Sequence, residues 1–491
     1  MTNSIQHTHE PLSNHNREDL TFTEPRSLRT FTPTQAVLAE SAGVFHWTPE
    51  GRRLYDFSSG VLVANLGHNP RGWMGRFFHH MGYHNLPICG FESSIEGNDD
   101  SSQYVDCGDF FRAAPMTAYN AITPVEVVAN RLLLELMNGR PGGSRMDQVM
   151  WAASGSEAVQ KALWACLARD SSRDIILATR FGFHGKKGLS LAITGSEQDK
   201  ERDPRVKFIS FPMIERMDLS QRNDPFDFGP YELELEILEK QFGKRITALC
   251  TEPYLGGGGS YHPPREFLHG IQAFCRKHDI IFVLDEVQSN FGRTGDWFAF
   301  ESYGLEPDLV ILGKGLGNGV PVAAVVGRRD ILGSLDFGET SDTWSANPLQ
   351  AAATIATIEE FQRTNILATM KDSSANIEAG LVRLKEYPFV AHVRGEKGGM
   401  VWGVEFKEYG GKTGPEWANL FVLANYLGGN PRNAMASVHG QNSDGVHLLG
   451  PLAKKVVRIS PPLVMTPDQA KDSTEMLFLA AGRLLSQGQV V

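Results

Sequence analysis

The stretch Leu309–Gly327, LVILGKGLGNGVPVAAVVG, holds one lysine, Lys314, among Gly313, Gly315, Gly317 and Gly319. Glycine-rich turns cradle phosphate when a helix follows. A P-loop, however, needs four residues between its first Gly and a Gly-Lys-Ser/Thr triplet, and a dinucleotide fingerprint needs G-x-G-x-x-G opening a helix. Here Gly315 follows the lysine, and the strand-like VPVAAVV follows Gly319. The pattern suits a strand end that presents one amine. A second apolar run, IIFVLDEV, ends in Asp285 and Glu286. Carboxylates are seldom buried without a partner, so Asp285 calls for a cation. That cation is either Lys314 in a plain ion pair or the protonated ring nitrogen of a cofactor attached to Lys314. In AASGSEAVQKALWAC, Gly155 and Ser156 stand at a helix start whose free N–H groups and dipole favour an anion such as phosphate; the plain reading is a serine cap. FGFHGKKG puts Phe183 and His184 at a further strand end, as an aromatic surface or as ordinary core.

These residues need a scaffold that brings strand ends together. Apolar runs (VMWAAS, IILAT, LSLAIT, ITALCTEP, IIFVLDEV, LVILGK, VAAVVG) read as strands alternating with helices, among them one from about Ser156 and one near Phe267–His278. Continuous apolar runs in such alternation imply a mainly parallel sheet buried on both faces, with ligands at the C-terminal strand ends. Thr123, Pro124 and Glu126 predict a capped helix start. Polar residues 1–30 read as a flexible arm, 31–70 as the N-terminal part of a small domain, 71–345 as a large domain and 346–491 as a smaller α+β domain. Segments 90–116 and 430–447 read as insertions, and Gly256–Gly259 as a tight turn.

The chain has 491 residues, 41% hydrophobic and 21% charged, with a formal net charge of -10. Its acidic balance, without a long basic run, argues against nucleic acid or an anionic membrane as partner. No apolar run approaches the ~20 residues of a membrane span. Five scattered cysteines without a C-x-x-C pair give no zinc or redox signature, so no metal is expected. They suggest a reducing compartment; the polar first residues carry no targeting pattern, and the cytoplasm is the expected location.

Taken in order, SSGVLVANLGH, SGSEAV, FHGKKGLSLAITG, TEPYLGGGG, LDEVQSNFGRTG, LVILGKGLGNGVPVAAVVG, TWSANPL and VVRISPPLVMT resemble the class III (omega-amino acid type) aminotransferases, which depend on pyridoxal 5′-phosphate. The resemblance implies the fold type I, aspartate-aminotransferase-like architecture, an α/β fold with a mainly parallel seven-stranded sheet and a smaller α+β domain. It implies Lys314 as Schiff-base lysine and Asp285 as partner of the pyridine N–H. It also implies Gly155 and Ser156 at the phosphate, Thr343 donated to that phosphate by the second subunit of a homodimer, and Phe183 and Val287 on the two ring faces. Gln288 would reach the ring hydroxyl, and His184 would support the ring. The reaction implied is a ping-pong transfer of an amino group from an amino acid or amine donor to a 2-oxo acid. Racemase, aminomutase and decarboxylase relatives share the motifs and remain the alternative.

Some positions depart from the family pattern. An arginine that often grips a substrate carboxylate is Lys186 here, either a substrate contact without the bidentate fork or a solvated loop lysine. Arg458 matches an arginine that binds carboxylate or pairs with a glutamate, and the position of that glutamate is Gly257. Arg458 is therefore expected to be free for substrate. Ala346 replaces a common glycine, and Glu286 and Arg293 read as structural.

Overall fold

The computed structural model describes residues 4–83, 106–107, 110–119, 121–199, 202–428 and 445–487. Its strands, in chain order, begin with β1 (Glu40–Ala42), β2 (Phe45–Trp47), β3 (Arg53–Asp56), β4 (Asp106–Cys107), β5 (Phe110–Phe111), β6 (Gln148–Ala152), β7 (Ile175–Thr179) and β8 (Val206–Ile209). They continue with β9 (Ile246–Thr251), β10 (Ile281–Asp285), β11 (Leu309–Leu312), β12 (Ala323–Gly327), β13 (Val390–Gly395), β14 (Trp402–Phe406), β15 (Gly445–His447) and β16 (Val456–Ile459).

A seven-stranded sheet in the order β6-β12-β11-β10-β9-β7-β8 organises the chain. Only β12 runs against its neighbours. The mainly parallel sheet read from the sequence is therefore present. Strands β7, β9, β10, β11 and β12 are buried at every residue, which is why they read as unbroken apolar runs rather than alternating ones. Of two smaller sheets, β1-β2-β3-β15 joins segments from both ends of the chain, and β13-β14-β16 comes from the C-terminal part alone.

One expected strand is not a strand. LSLAIT lies largely in the short helix Gly188–Ala192, where Leu189 and Ala192 are buried at a spacing of three. A short apolar run does not separate helix from strand by periodicity, and the seventh strand is instead VKFI, β8, at the sheet edge. The expected cap at Thr123 is present: its hydroxyl accepts from Glu126 N at 3.4 Å, with Pro124 at the first helical position. Within the stretch expected as an arm, Pro11–Thr23 is a helix. Its buried Arg17 donates to Glu10 at 2.6 Å and to Tyr426 at 3.2 Å. The proposed insertions 90–116 and 430–447 fall mostly outside the described residues. Residues Gly256–Gly259 form the expected turn, closed by a bridge between Leu255 and Tyr261.

Candidate active site

The strand-end residues meet in a cavity of about 1000 Å³ at the C-terminal ends of the parallel strands. Asp285 is the last residue of β10, and its register partner on β11 is Ile311, three residues before Lys314. Asp285 is buried and doubly held: Oδ2 lies 2.7 Å from His184 Nδ1, and Oδ1 accepts from Val287 N at 3.0 Å. Burial opposes a charged His184, whereas the neighbouring Cys250 and the bonded Asp285 favour it. The balance holds the imidazole well above its ordinary pKa. His184 thus places a proton, and Asp285 a carboxylate, on the floor of the cavity.

Lys314 opens a single 3-10 turn with φ 46, a left-handed conformation set where the chain reverses out of β11. Burial brings its amine down to about 8, helped by the charge of Arg458 and opposed by Asp285 and Glu252. A substantial fraction is therefore neutral near physiological pH, as a nucleophile or proton carrier requires.

The helix Gly155–Arg169 starts at the cavity wall, capped by Ser154, whose side chain accepts from Glu157 N, and not by Ser156. Ser156 lies in the first turn, its hydroxyl 2.7 Å from that of Ser190. A Cβ on Gly155 would meet Val287 Cγ1 at 3.0 Å, and one on Gly313 would meet the same atom at 3.3 Å. Val287 is thus packed between two glycines whose missing side chains leave the space beside it clear.

Phe183 and Lys186 line the same cavity and are exposed there. Gln288 lines it as well and accepts from Arg458 Nη1 at 3.0 Å. Arg458 is buried, and its Nε lacks a hydrogen-bond partner. It projects from β16 behind the wall rather than lining it. Thr343 stands apart: it is exposed and does not line the cavity, although Asp342 and Trp344 beside it do. Glu286 and Arg293 have the structural roles expected. Glu286 accepts from Ala299 N and Phe300 N, each at 2.7 Å, and Arg293 donates to the carbonyls of Met400 and Pro461.

Among the cavity residues that the sequence reading did not assign, two carry charge and are buried. Buried Glu252 accepts from Phe183 N at 3.0 Å and Gly256 N at 3.3 Å, and burial pushes its carboxyl up to about 7. Its position just past β9, in TEP, was the available signal. Buried Lys161 bonds Asp342 at 2.7 Å and Ser345 at 2.9 Å, pinning the segment beside Thr343. Nothing in its helical context distinguished it from a surface lysine.

This donor set fits pyridoxal phosphate: a partly neutral amine, a buried carboxylate backed by a protonated imidazole, a helix N-terminus with free N–H groups, and a glycine-flanked apolar face. Sequence comparison agrees. The Aminotransferase class-III family matches residues 113–480. An acetylornithine aminotransferase of Corynebacterium efficiens is 31% identical over 370 residues, 74% of this chain and 79% of its own. A 4-aminobutyrate aminotransferase of Escherichia coli is 26% identical over 397 residues, 80% of this chain and 83% of its own. An ornithine aminotransferase structure from Toxoplasma gondii superposes with a TM-score of 0.74 at 19% identity, covering 98% of this chain and 96% of that one. With a match that takes in more than half of its length, this chain belongs to the class III aminotransferases, enzymes that work with pyridoxal 5′-phosphate.

Proposed function

We propose that the enzyme moves an amino group from an amino acid or amine donor to a 2-oxo acid in a ping-pong cycle, with Lys314 as both nucleophile and proton carrier. The observation that carries this reading is the joint placement of Lys314 and Asp285 at the ends of adjacent parallel strands, opening into one cavity. In this reading the N–H groups at Gly155 and Ser156 hold the phosphate, and Val287 and Phe183 bound the ring. Gln288 would face its hydroxyl. Asp285, fixed by His184, would keep the ring nitrogen protonated. When bound, the cofactor supplies a sink for the electron pair left on the substrate carbon after deprotonation. Lys314 Nζ takes that proton, which its lowered pKa allows. Lys186 on the cavity wall, and Arg458 behind it by exchanging its bond to Gln288 for one to substrate, would hold a substrate carboxylate.

Thr343 completes the phosphate site of a partner subunit, so the working unit is a homodimer with shared sites. Its exposure outside its own chain's cavity supports that reading. Residues 71–345 serve as the cofactor-binding domain, and 31–70 with 346–491 as the smaller one. We place the enzyme in the cytoplasm, where Cys166, Cys250 and Cys275 remain free thiols; no helix among the described residues is long and apolar enough to cross a membrane.

The test is a donor screen with the purified enzyme, following amino transfer to pyruvate and to 2-oxoglutarate beside racemisation of the same donors. Borohydride reduction and peptide mapping locate the cofactor. Racemisation without transfer, or an adduct on another lysine, overturns the proposal.

A further inference from the structure

A second polar cluster lies in the β1-β2-β3-β15 sheet, and none of its members lines the Lys314 cavity. His46 on β2 stands opposite Leu54, and Asp56, two residues further along β3, stands opposite His447 on β15. Side chains two apart on a strand, or directly opposite across a pair, share a face. His46, Asp56 and His447 therefore project from one side of the sheet. His68 joins them from the segment whose backbone bridges Gly43. His68 Nε2 lies 2.7 Å from Asp56 Oδ2, and His46 Nε2 lies 3.5 Å from Asp56 Oδ1. The donor atoms of His46, Asp56 and His68 all lie within 4.8 Å of one another.

Hydrogen bonding leaves this group incomplete. His46 Nδ1 is 2.6 Å from the Ser41 hydroxyl, but its buried Nε2 has no hydrogen-bond partner, and neither does Nδ1 of His447. The His447 ring stands edge-on to that of His46, with centroids 5.4 Å apart. Meanwhile Asp56 Oδ1 accepts from Ser58 N, Ser58 Oγ and Ser59 N at 2.7, 2.6 and 3.1 Å, while His68 faces Oδ2. A ring fixed through its far nitrogen and a carboxylate fixed by backbone donors are how metal ligands are usually oriented.

We propose that His46, Asp56 and His68 bind a divalent transition-metal ion of the zinc class, with His447 the nearest group to close a fourth position. Two imidazoles and one carboxylate suit zinc, whereas magnesium and calcium prefer all-oxygen shells. Tetrahedral coordination at about 2.1 Å sets donor atoms roughly 3.4 Å apart; His46 Nε2 stands 3.5 Å from Asp56 Oδ1. With Oδ1 held by the Ser58 and Ser59 donors the ion would take Oδ2, so that His68, 2.7 Å from Oδ2, draws back as its hydrogen bond to Asp56 is replaced by the ion. The side chain of His68 is 17% exposed and gives the ion a way in. His46, Asp56 and His68 stand at intervals of ten and twelve residues, with His447 far away in the chain, so no short spacing motif shows them, and the expectation of no metal came from the cysteines alone.

The ion would tie β2 and β3 to the segment of His68 beside an unusual turn. Ser59, Gly60, Val61 and Leu62 all have positive φ, at 48, 58, 68 and 60, and the next residue, Val63, lines the Lys314 cavity. Asp56 holds the start of that turn through Ser58 and Ser59. Metal occupancy would thereby support one wall of the active site.

The test uses tag-free holoenzyme, stripped with a chelator, desalted, and offered Zn²⁺ or Co²⁺. The expected result is about one ion per chain after gel filtration, measured by plasma mass spectrometry, and a melting temperature raised by Zn²⁺. With Co²⁺, visible d–d bands of an N/O site should appear beyond the cofactor absorption. The double variant His46→Gln, His68→Gln should lose at least about nine-tenths of the bound metal. Because polar replacements in a buried cluster can unfold the chain, His46→Phe is measured in parallel, with the cofactor absorption spectrum as the check on folding. Wild-type protein that retains less than about a tenth of an ion, or folded variants that retain as much as wild type, overturn the site.

Discussion

Arg458 donates to the side-chain oxygen of Gln288 at 3.0 Å, and among the described residues no carboxylate pairs with it. A buried guanidinium held by one neutral oxygen, with Nε unpartnered, has kept its capacity for an anion. Gly257 explains why no internal glutamate competes: a Cβ there would meet Phe183 Cβ at 2.9 Å, so any side chain would displace the Phe183 backbone that Glu252 anchors.

Arg458→Ala should accordingly raise KM for carboxylate-bearing donors. Hydrogen bonds to charged groups are worth about 1.5–3 kcal/mol, or roughly ten- to hundredfold in affinity. Simple amines should be little affected as donors. Half-reactions of the pyridoxal form with each donor class separate the two effects, and equal losses for both would make Arg458 structural.

The pH dependence of cofactor capture reports on Lys314. Its amine attacks only when neutral, and burial has lowered its pKa to about 8. The rate at which apoenzyme forms the borohydride-reducible adduct should rise about tenfold per pH unit below 8 and level off above it. The Arg458 charge contributes to that lowering, so Arg458→Ala should move the midpoint upward. Lys314→Ala should form no adduct. A rate independent of pH between 6 and 9 would remove Lys314 from the role.

Asp285→Asn should retain cofactor but lose about a hundredfold or more in the half-reaction rate, the scale set by removing one preorganised charged contact. The variant also removes the anion that holds the His184 proton at 2.7 Å. His184→Gln, which leaves Asp285 intact, should therefore cost less. Stopped-flow absorbance under single turnover measures both; near-wild-type turnover in Asp285→Asn would show that the ring nitrogen lies elsewhere.

The sequence made much of the cavity legible because Phe183, Asp285 and Lys314 stand at or just past the ends of fully buried strands. A polar group at the end of an apolar run, as with Asp285 after IIFVL or Lys314 after LVILG, has few structural reasons to be there. What stayed hidden depended on contacts between distant segments. Lys161 looks like any helical lysine until Asp342 and Ser345 fold against it. LSLAIT is short enough for the packing of Leu189 and Ala192 to decide its state. Ala346 is a middle case: its φ of 60 gives the physical reason that glycine is common at that place, but the sequence showed only the departure.

Thr343 carries the prediction about assembly. Its side chain is exposed, yet Asp342 before it and Trp344 after it line the cavity, and Lys161 holds Asp342 in place. An exposed residue outside its own cavity, beside an anchored one, suits a hydroxyl delivered to a second subunit. Thr343→Val should then weaken cofactor retention by about tenfold, the loss of one hydrogen bond to a charged phosphate, while the dimer mass by light scattering is unchanged. Dilution that dissociates the dimer should release cofactor from wild type in parallel with the fall in mass. A monomer that keeps both cofactor and activity would show that each chain builds its phosphate site alone.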